Sequence, residues 1–179
     1  MAESGPKERL GLDLPFLLNY LRLMEERSTS VADDGSVALT IVLVEDNPDD
    51  EELTLAALDE LNLCNPVVVL RDGQEAIDYF FGQGNYVGRS PELPGVIMLD
   101  LKLPKVDGLE VLRQIKDDAQ LKRVPVVVLT SSQEEADVAT GYNLGANSYI
   151  VKPIDFEHLM ETVRSIGNYW LIVNEQPPL

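Results

Sequence analysis

Four clusters of chemically able side chains are spread through the chain: the acids Glu45 and Asp46, the acid Asp100, the hydroxyl run Thr130-Ser131-Ser132, and Lys152 followed by Pro153. Each comes directly after a short apolar stretch. Three carboxylates gathered in one place repel, since two unit charges 4 Å apart cost about 4 kcal/mol at an effective dielectric of 20. A proton or a cation has to join them. Hard carboxylate oxygens without His or Cys favour Mg2+, which keeps several waters and takes further oxygens from a phosphate. Lys152 adds a second positive group and Thr130 a hydroxyl, so the set describes a pocket for a phosphoryl group carried on Asp100. Taken singly the pieces are ordinary: Glu45-Asp46 reads as a solvated turn or helix cap, Thr130 as a strand-end hydroxyl, Lys152 as a surface charge. Only their joint placement after successive strands favours a site.

The elements that must position them follow from periodicity. Runs at 39–44, 67–70, 96–99, 126–129 and 149–151 are short, apolar and rich in β-branched residues, as buried strands are. Between them apolar residues recur at helical spacing: Leu53, Ala57 and Leu61; Ile77 and Phe80; Leu109, Leu112 and Ile115; then a weakly apolar stretch at 134–144 containing Gly141. A last helix is expected from Asp155 to about Val173, with Phe156, Leu159, Val163, Ile166 and Trp170 along one side. Strands alternating with helices imply a parallel sheet covered on both faces, with right-handed crossovers that bring every strand's carboxyl end to one edge. Asp100 then stands at that edge, before the turn at Pro104 and the helix start at Asp107-Gly108. Residues 82–95, with two prolines and Gly-Gln-Gly, read as an insertion-like surface loop.

Composition limits the rest. The 179 residues, 45% hydrophobic and 25% charged, suffice for one ordinary core plus an appendage. A net charge of −17 disfavours nucleic acid as a partner, because a phosphate backbone would be repelled. Cys64 is the only cysteine, which excludes an intrachain disulfide and fits a cytoplasmic setting. His158, the only histidine, lies among acidic helical neighbours and reads as a surface residue. Residues 1–38 form the appendage: Asp13 caps a helix at about 13–27 whose apolar stripe includes Leu14, Leu17, Leu18 and Leu21, and a polar linker follows. That stripe packs on its own domain or joins a dimer or partner interface. Glu3, Glu8 and Asp13 argue against a secretory signal, and the run is shorter than the roughly 20 apolar residues of a membrane span.

With these residues in view, 39–173 resembles the receiver domain of two-component response regulators, through Glu45-Asp46, Leu99-Asp100, Thr130-Ser131, Tyr149 and Lys152-Pro153. More narrowly, 44–50, 101–108, 148–153 and the ending 169–178 resemble stand-alone receivers that serve bacterial and cyanobacterial phytochromes. The resemblance implies a flavodoxin-like (βα)5 fold, α/β in class, with a five-stranded parallel sheet in the order 2-1-3-4-5 and here an N-terminal helical extension. It implies that Asp100 accepts phosphate from a sensor histidine kinase, and that Asp46, Asp100 and the Lys102 carbonyl bind Mg2+, with Glu45 acting directly or through water. Lys152 would hold a phosphoryl oxygen, Thr130 would move to bind another, and Tyr149 would be the accompanying aromatic switch. Ser131 would leave access to the phosphate, while Lys102 and Ser132 sit where the family tunes phosphate lifetime. The Lys152–Pro153 bond would be cis. Glu45 departs from the aspartate many receivers carry.

Only residues 174–179 follow the last helix, so a stand-alone phosphoacceptor that is not itself an output enzyme, and that signals by altered protein association, is the expected function. The apolar end 170–173 leaves a homodimer contact or an intramolecular one open. Two other classes fit less well. A phosphohydrolase related to haloacid dehalogenases would carry a second aspartate two residues after its nucleophile, where Lys102 stands. A flavodoxin-like cofactor binder would need a phosphate-cradling glycine loop after the first strand, and none is present.

Overall fold

The structure, a computed structural model, describes residues 39–61, 65–89 and 92–175. The helix expected at about 13–27, its linker, Cys64 and the last four residues lie outside the described residues. Five strands, β1 (Ile41–Val44), β2 (Val67–Leu70), β3 (Val96–Leu99), β4 (Val126–Thr130) and β5 (Ser148–Val151), pair in parallel in the order β2-β1-β3-β4-β5. Helices α1 (Pro48–Asp59), α2 (Gly73–Phe81), α3 (Gly108–Asp117), α4 (Glu135–Asn143) and α5 (Phe156–Gly167) connect and cover them.

Every residue of the three central strands is buried, because successive side chains point to opposite faces and both faces carry helices. Val42, Val44, Ile97, Leu99, Val126 and Val128 meet Ala76 and Ile77 of α2 and Val111, Leu112 and Ile115 of α3. Ile41, Leu43, Val96, Met98, Val127 and Leu129 meet Ala57 and Leu58 of α1 and Leu159, Met160, Val163 and Ile166 of α5. Each of these Val, Leu, Ile and Met side chains contributes roughly 1.5–3 kcal/mol on burial. This two-sided packing fixes the register, and with it which residues emerge at the strand ends.

The helices start at the carboxyl edge because the sequence caps them there. The side chains of Asn47, Asp72, Asp107 and Asp155 accept from backbone N–H groups at the starts of α1, α2, α3 and α5, and Pro48 occupies the first turn of α1. His158 sits exposed in the first turn of α5, its Nδ1 2.5 Å from the capping Asp155. By contrast α4 has no side-chain cap and buries only Gly141, which makes it the least anchored of the five.

Two sequence expectations need correction. The last helix does not run as one α-helix to Val173: it ends at Gly167 and continues as a π-helix over Asn168–Val173. Gly167 lies so close to the end of α1 and the turn after it that a Cβ there would stand 3.2 Å from Leu58 Cδ2 and 2.5 Å from Leu61 Cδ1, and the wider turns beyond it let Trp170 and Leu171 pack on the α1/α5 core. The Lys152–Pro153 bond is trans, since none of the described peptides is cis. A proline amide prefers trans by about 0.5–1 kcal/mol, and the turn from β5 to the cap of α5 is built on that preferred isomer. The surface loop, for its part, is pinned: the Arg89 guanidinium stacks 3.7 Å from the Tyr79 ring centroid and donates to the Tyr79 hydroxyl at 2.8 Å.

Candidate phosphoryl and metal site

The sheet ladder runs one residue beyond the strands and fixes the backbone of the site. Glu45 N donates to Leu70 O at 2.9 Å, Asp100 N to Val44 O at 3.0 Å, and Lys152 N to Thr130 O at 2.8 Å. Glu45 and Asp100 are buried while Asp46, the next residue, is exposed. One carboxylate oxygen from each of the three lies within 4.8 Å of the others, as the sequence predicts. This set of hard oxygens at the rim of the sheet fits a divalent cation such as Mg2+ or Mn2+.

Lys152 answers the charge problem directly. Its Nζ lies 2.5 Å from Glu45 Oε2, 2.7 Å from Asp100 Oδ2 and 2.8 Å from Asp50 Oδ2. Asp50 is the partner that sequence reasoning missed. Its place in the first turn of α1, after the Asn47 cap and Pro48, was legible in the sequence, but its reach to Lys152 across the site was not. Asp100 Oδ1 accepts from Lys102 N at 3.1 Å, and the Thr130 hydroxyl favours the charged form of the Asp100 carboxylate. Lys102 is exposed, in the bend after β3.

Burial is the largest influence on each charge, and the outcome depends on the partners. It pushes the Glu45 carboxyl up to about 7, against the pull of Lys152. For Asp100, burial is outweighed by Lys152, Thr130 and the Lys102 N–H, which hold it below the usual carboxylate range. For Lys152, burial is outweighed by Glu45, Asp100 and Asp50, which raise it above the ordinary lysine value. The Lys152 ammonium is thus the cation that the crowded acids call for.

On the side of β4, Thr130 is buried and its Oγ1 accepts from Ser132 N at 3.3 Å. Ser132 Oγ donates to Asp137 Oδ2 in the first turn of α4 at 2.5 Å, and Ser132 O accepts from the Tyr149 hydroxyl at 3.3 Å. Ser131 is exposed. Tyr149 therefore reaches the β4–α4 connection through Ser132, and its ring lies over α4 where a Cβ on Gly141 would come within 3.1 Å. No sequence pattern announced Asp137. On the other side, the loop after Asp100 is held to α2: Gly73 N donates to Pro104 O, and Lys105, at a left-handed φ of 66°, pairs with Asp72 at 2.5 Å.

The five-stranded parallel sheet thus brings an acidic trio, a lysine and a strand-end threonine together at its carboxyl edge. Residues 41–164 match the response regulator receiver domain family, and the chain belongs to it. The probable methanogenesis regulatory protein FilR2 of Methanothrix harundinacea is 46% identical over 138 residues, spanning 76% of this chain and 86% of that protein. The response regulator Rcp1 of a Synechocystis strain is 40% identical over 141 residues, 79% of this chain and 95% of that one. Among solved structures, the phosphorylated cyanobacterial phytochrome response regulator RcpA is similar with a TM-score of 0.75 and 42% identity, over 79% of this chain and all of that chain. The Mn2+-bound form of Rcp1 gives 0.74 and 41% over 78% of this chain and 99% of that one. The bacteriophytochrome response regulator RtBRR gives 0.64 and 49% over 79% of this chain and 86% of that one. No helix among the described residues is long and apolar enough to cross a membrane.

Proposed function

We propose that the chain accepts a phosphoryl group on Asp100 from the phosphohistidine of a sensor kinase and signals through changed protein association. The observation that carries this reading is Lys152, whose ammonium reaches Asp100 within a ring of acids. In the transfer a carboxylate oxygen of Asp100 attacks phosphorus, the P–N bond breaks, and its electron pair stays with the imidazole. Glu45, Asp46, Asp100 and the Lys102 carbonyl would hold Mg2+, which supplies charge neutralisation when bound. Lys152 takes a phosphoryl oxygen, and the Thr130 hydroxyl takes another. Tyr149 and α4 respond through Ser132, and the exposed Ser131 and Lys102 set access to the phosphate and its lifetime.

The receiver unit in this reading is 39–173, acting in the cytoplasm where sensor kinases present their phosphohistidine. A phytochrome-type kinase is the proposed donor, supported by the likeness to Rcp1, RcpA and RtBRR. The 46% identity to FilR2 favours a second reading, a kinase with a different input. Phosphotransfer profiling decides between them: a light-dependent preference for a phytochrome kinase supports the first. The phosphoacceptor reading itself is tested with Mg2+ and acetyl phosphate. Acid-stable, base-labile labelling of the wild type, absent in Asp100→Asn, is expected. Rapid multiple turnover of diverse phosphomonoesters would overturn it in favour of a hydrolase.

A further inference from the structure

An ammonium has three N–H donors, and the carboxylates of Glu45, Asp50 and Asp100 each accept one from Lys152. The three acceptors are unequal. The Glu45 and Asp100 side chains are 2% and 7% exposed, whereas Asp50, on the first turn of α1, is 26% exposed. A phosphoryl oxygen that needs Lys152 must displace one of them. Displacing a carboxylate that stays buried leaves an uncompensated charge, which is expensive; displacing Asp50 returns it to water. Asp50 also stands outside the acidic trio suited to a metal, Glu45, Asp46 and Asp100, so its contact with Lys152 is separable from cation binding.

We propose, building on the phosphoacceptor reading, that Asp50 is a positioning residue: it holds the third N–H of Lys152 as a placeholder until a phosphoryl oxygen takes that donor. The contact keeps Lys152 oriented in the resting protein and competes with the phosphoryl group for it. The residue that steadies the lysine thereby sets how tightly the site closes on its ligand.

Magnesium beryllofluoride, a non-covalent phosphoryl analogue, tests this by calorimetric titration of the full chain and its variants. Losing a partly exposed ionic competitor should tighten binding about fivefold in Asp50→Asn. Asp50→Glu, which keeps a carboxylate within reach, should stay near wild type. Asp49→Asn removes the same charge from the neighbouring exposed residue and should change little, because Asp49 engages the site only through its backbone N–H on the Asn47 cap. In metal-free protein the side-chain ammonium 15N resonance of Lys152 should shift in Asp50→Asn and not in Asp49→Asn. Unchanged or weaker binding in Asp50→Asn, equal tightening in Asp49→Asn, or an unmoved Lys152 resonance each overturns the placeholder. A wild type that fails to bind beryllofluoride removes the phosphoacceptor reading and this one with it, whereas wild-type binding with an unaffected Asp50→Asn removes this one alone.

Discussion

Two half-buried lysines stand at opposite ends of the same sheet and are held in opposite ways. Lys152, at the carboxyl edge, touches three carboxylates. Lys116, in the last turn of α3 at the amino edge, donates to neutral oxygens: Val124 O at 2.8 Å, Asn147 Oδ1 at 3.1 Å and Lys122 O at 3.4 Å. Asn147 Oδ1 also accepts from Val126 N at 2.9 Å, so Lys116 ties α3 to the starts of β4 and β5. Burial pushes the Lys116 ammonium down to about 8, whereas the acids outweigh burial and raise Lys152. A lysine among neutral dipoles has nowhere else to go and acts as a clamp. A lysine among surplus carboxylates has alternatives, and can exchange one partner for another.

The contrast breaks most visibly on the rate of Asp100 labelling by acetyl phosphate. Lys152→Met should slow it by about 100-fold or more, the usual scale for losing one charge-stabilising donor, and Lys116→Met should leave it within about twofold, a difference under 0.5 kcal/mol. Equal slowing in both would dissolve the distinction. A smaller effect is expected from the proton on Glu45. Only the deprotonated carboxylate is a metal ligand, so with a pKa of about 7 Mn2+ affinity should rise about tenfold from pH 6 to pH 8. Glu45→Gln should flatten that profile. The sign for folding runs the other way. Because the folded pKa lies above the ordinary carboxylate value, the native state holds an extra proton between them, and stability in EDTA should fall as pH rises from 5 to 8.

The smallest change sharpens the clamp. Lys116→Met strands Val124 O and removes one donor from Asn147, which should cost about 1 kcal/mol at pH 7 in urea denaturation. The folded pKa of Lys116 lies below its ordinary value, so the unfolded chain binds the extra proton. The advantage of wild type over Lys116→Met should therefore grow from pH 8 to pH 10. An advantage that shrinks would mean that the charged form is the one the carbonyls prefer.

The residues that show this contrast were unequally legible in the sequence. The strands and the convergence of Glu45, Asp46, Asp100, Thr130 and Lys152 followed from alternation and order, because a two-sided parallel sheet leaves strand-end residues no other place to emerge. Asp50 was missed because its role depends on the pitch of α1 relative to β5, a relation across about 100 residues that no local pattern encodes. The π-helical end of α5 belongs to the same kind, set by how closely one element settles on another. Gly167 marks such a close approach, but a glycine in a sequence does not say what it approaches.

The glycines beside Asp100 carry a consequence for where strain goes. A Cβ on Gly108 would stand 2.2 Å from Asp100 O, and one on Gly73 1.9 Å from Val106 O. The backbone after Asp100 is thus wedged between the first turns of α3 and α2 with no slack to give. Facing it across the site, β4 passes to a helix that buries a single glycine and is held at its start by Ser132 and Asp137. One wall is closely packed and the other lightly packed, so bulk added at Asp100 would meet less resistance at the β4–α4 wall. Mechanically, the site would have a fixed anvil and one yielding side, and a force applied at the acid would leave the domain through α4.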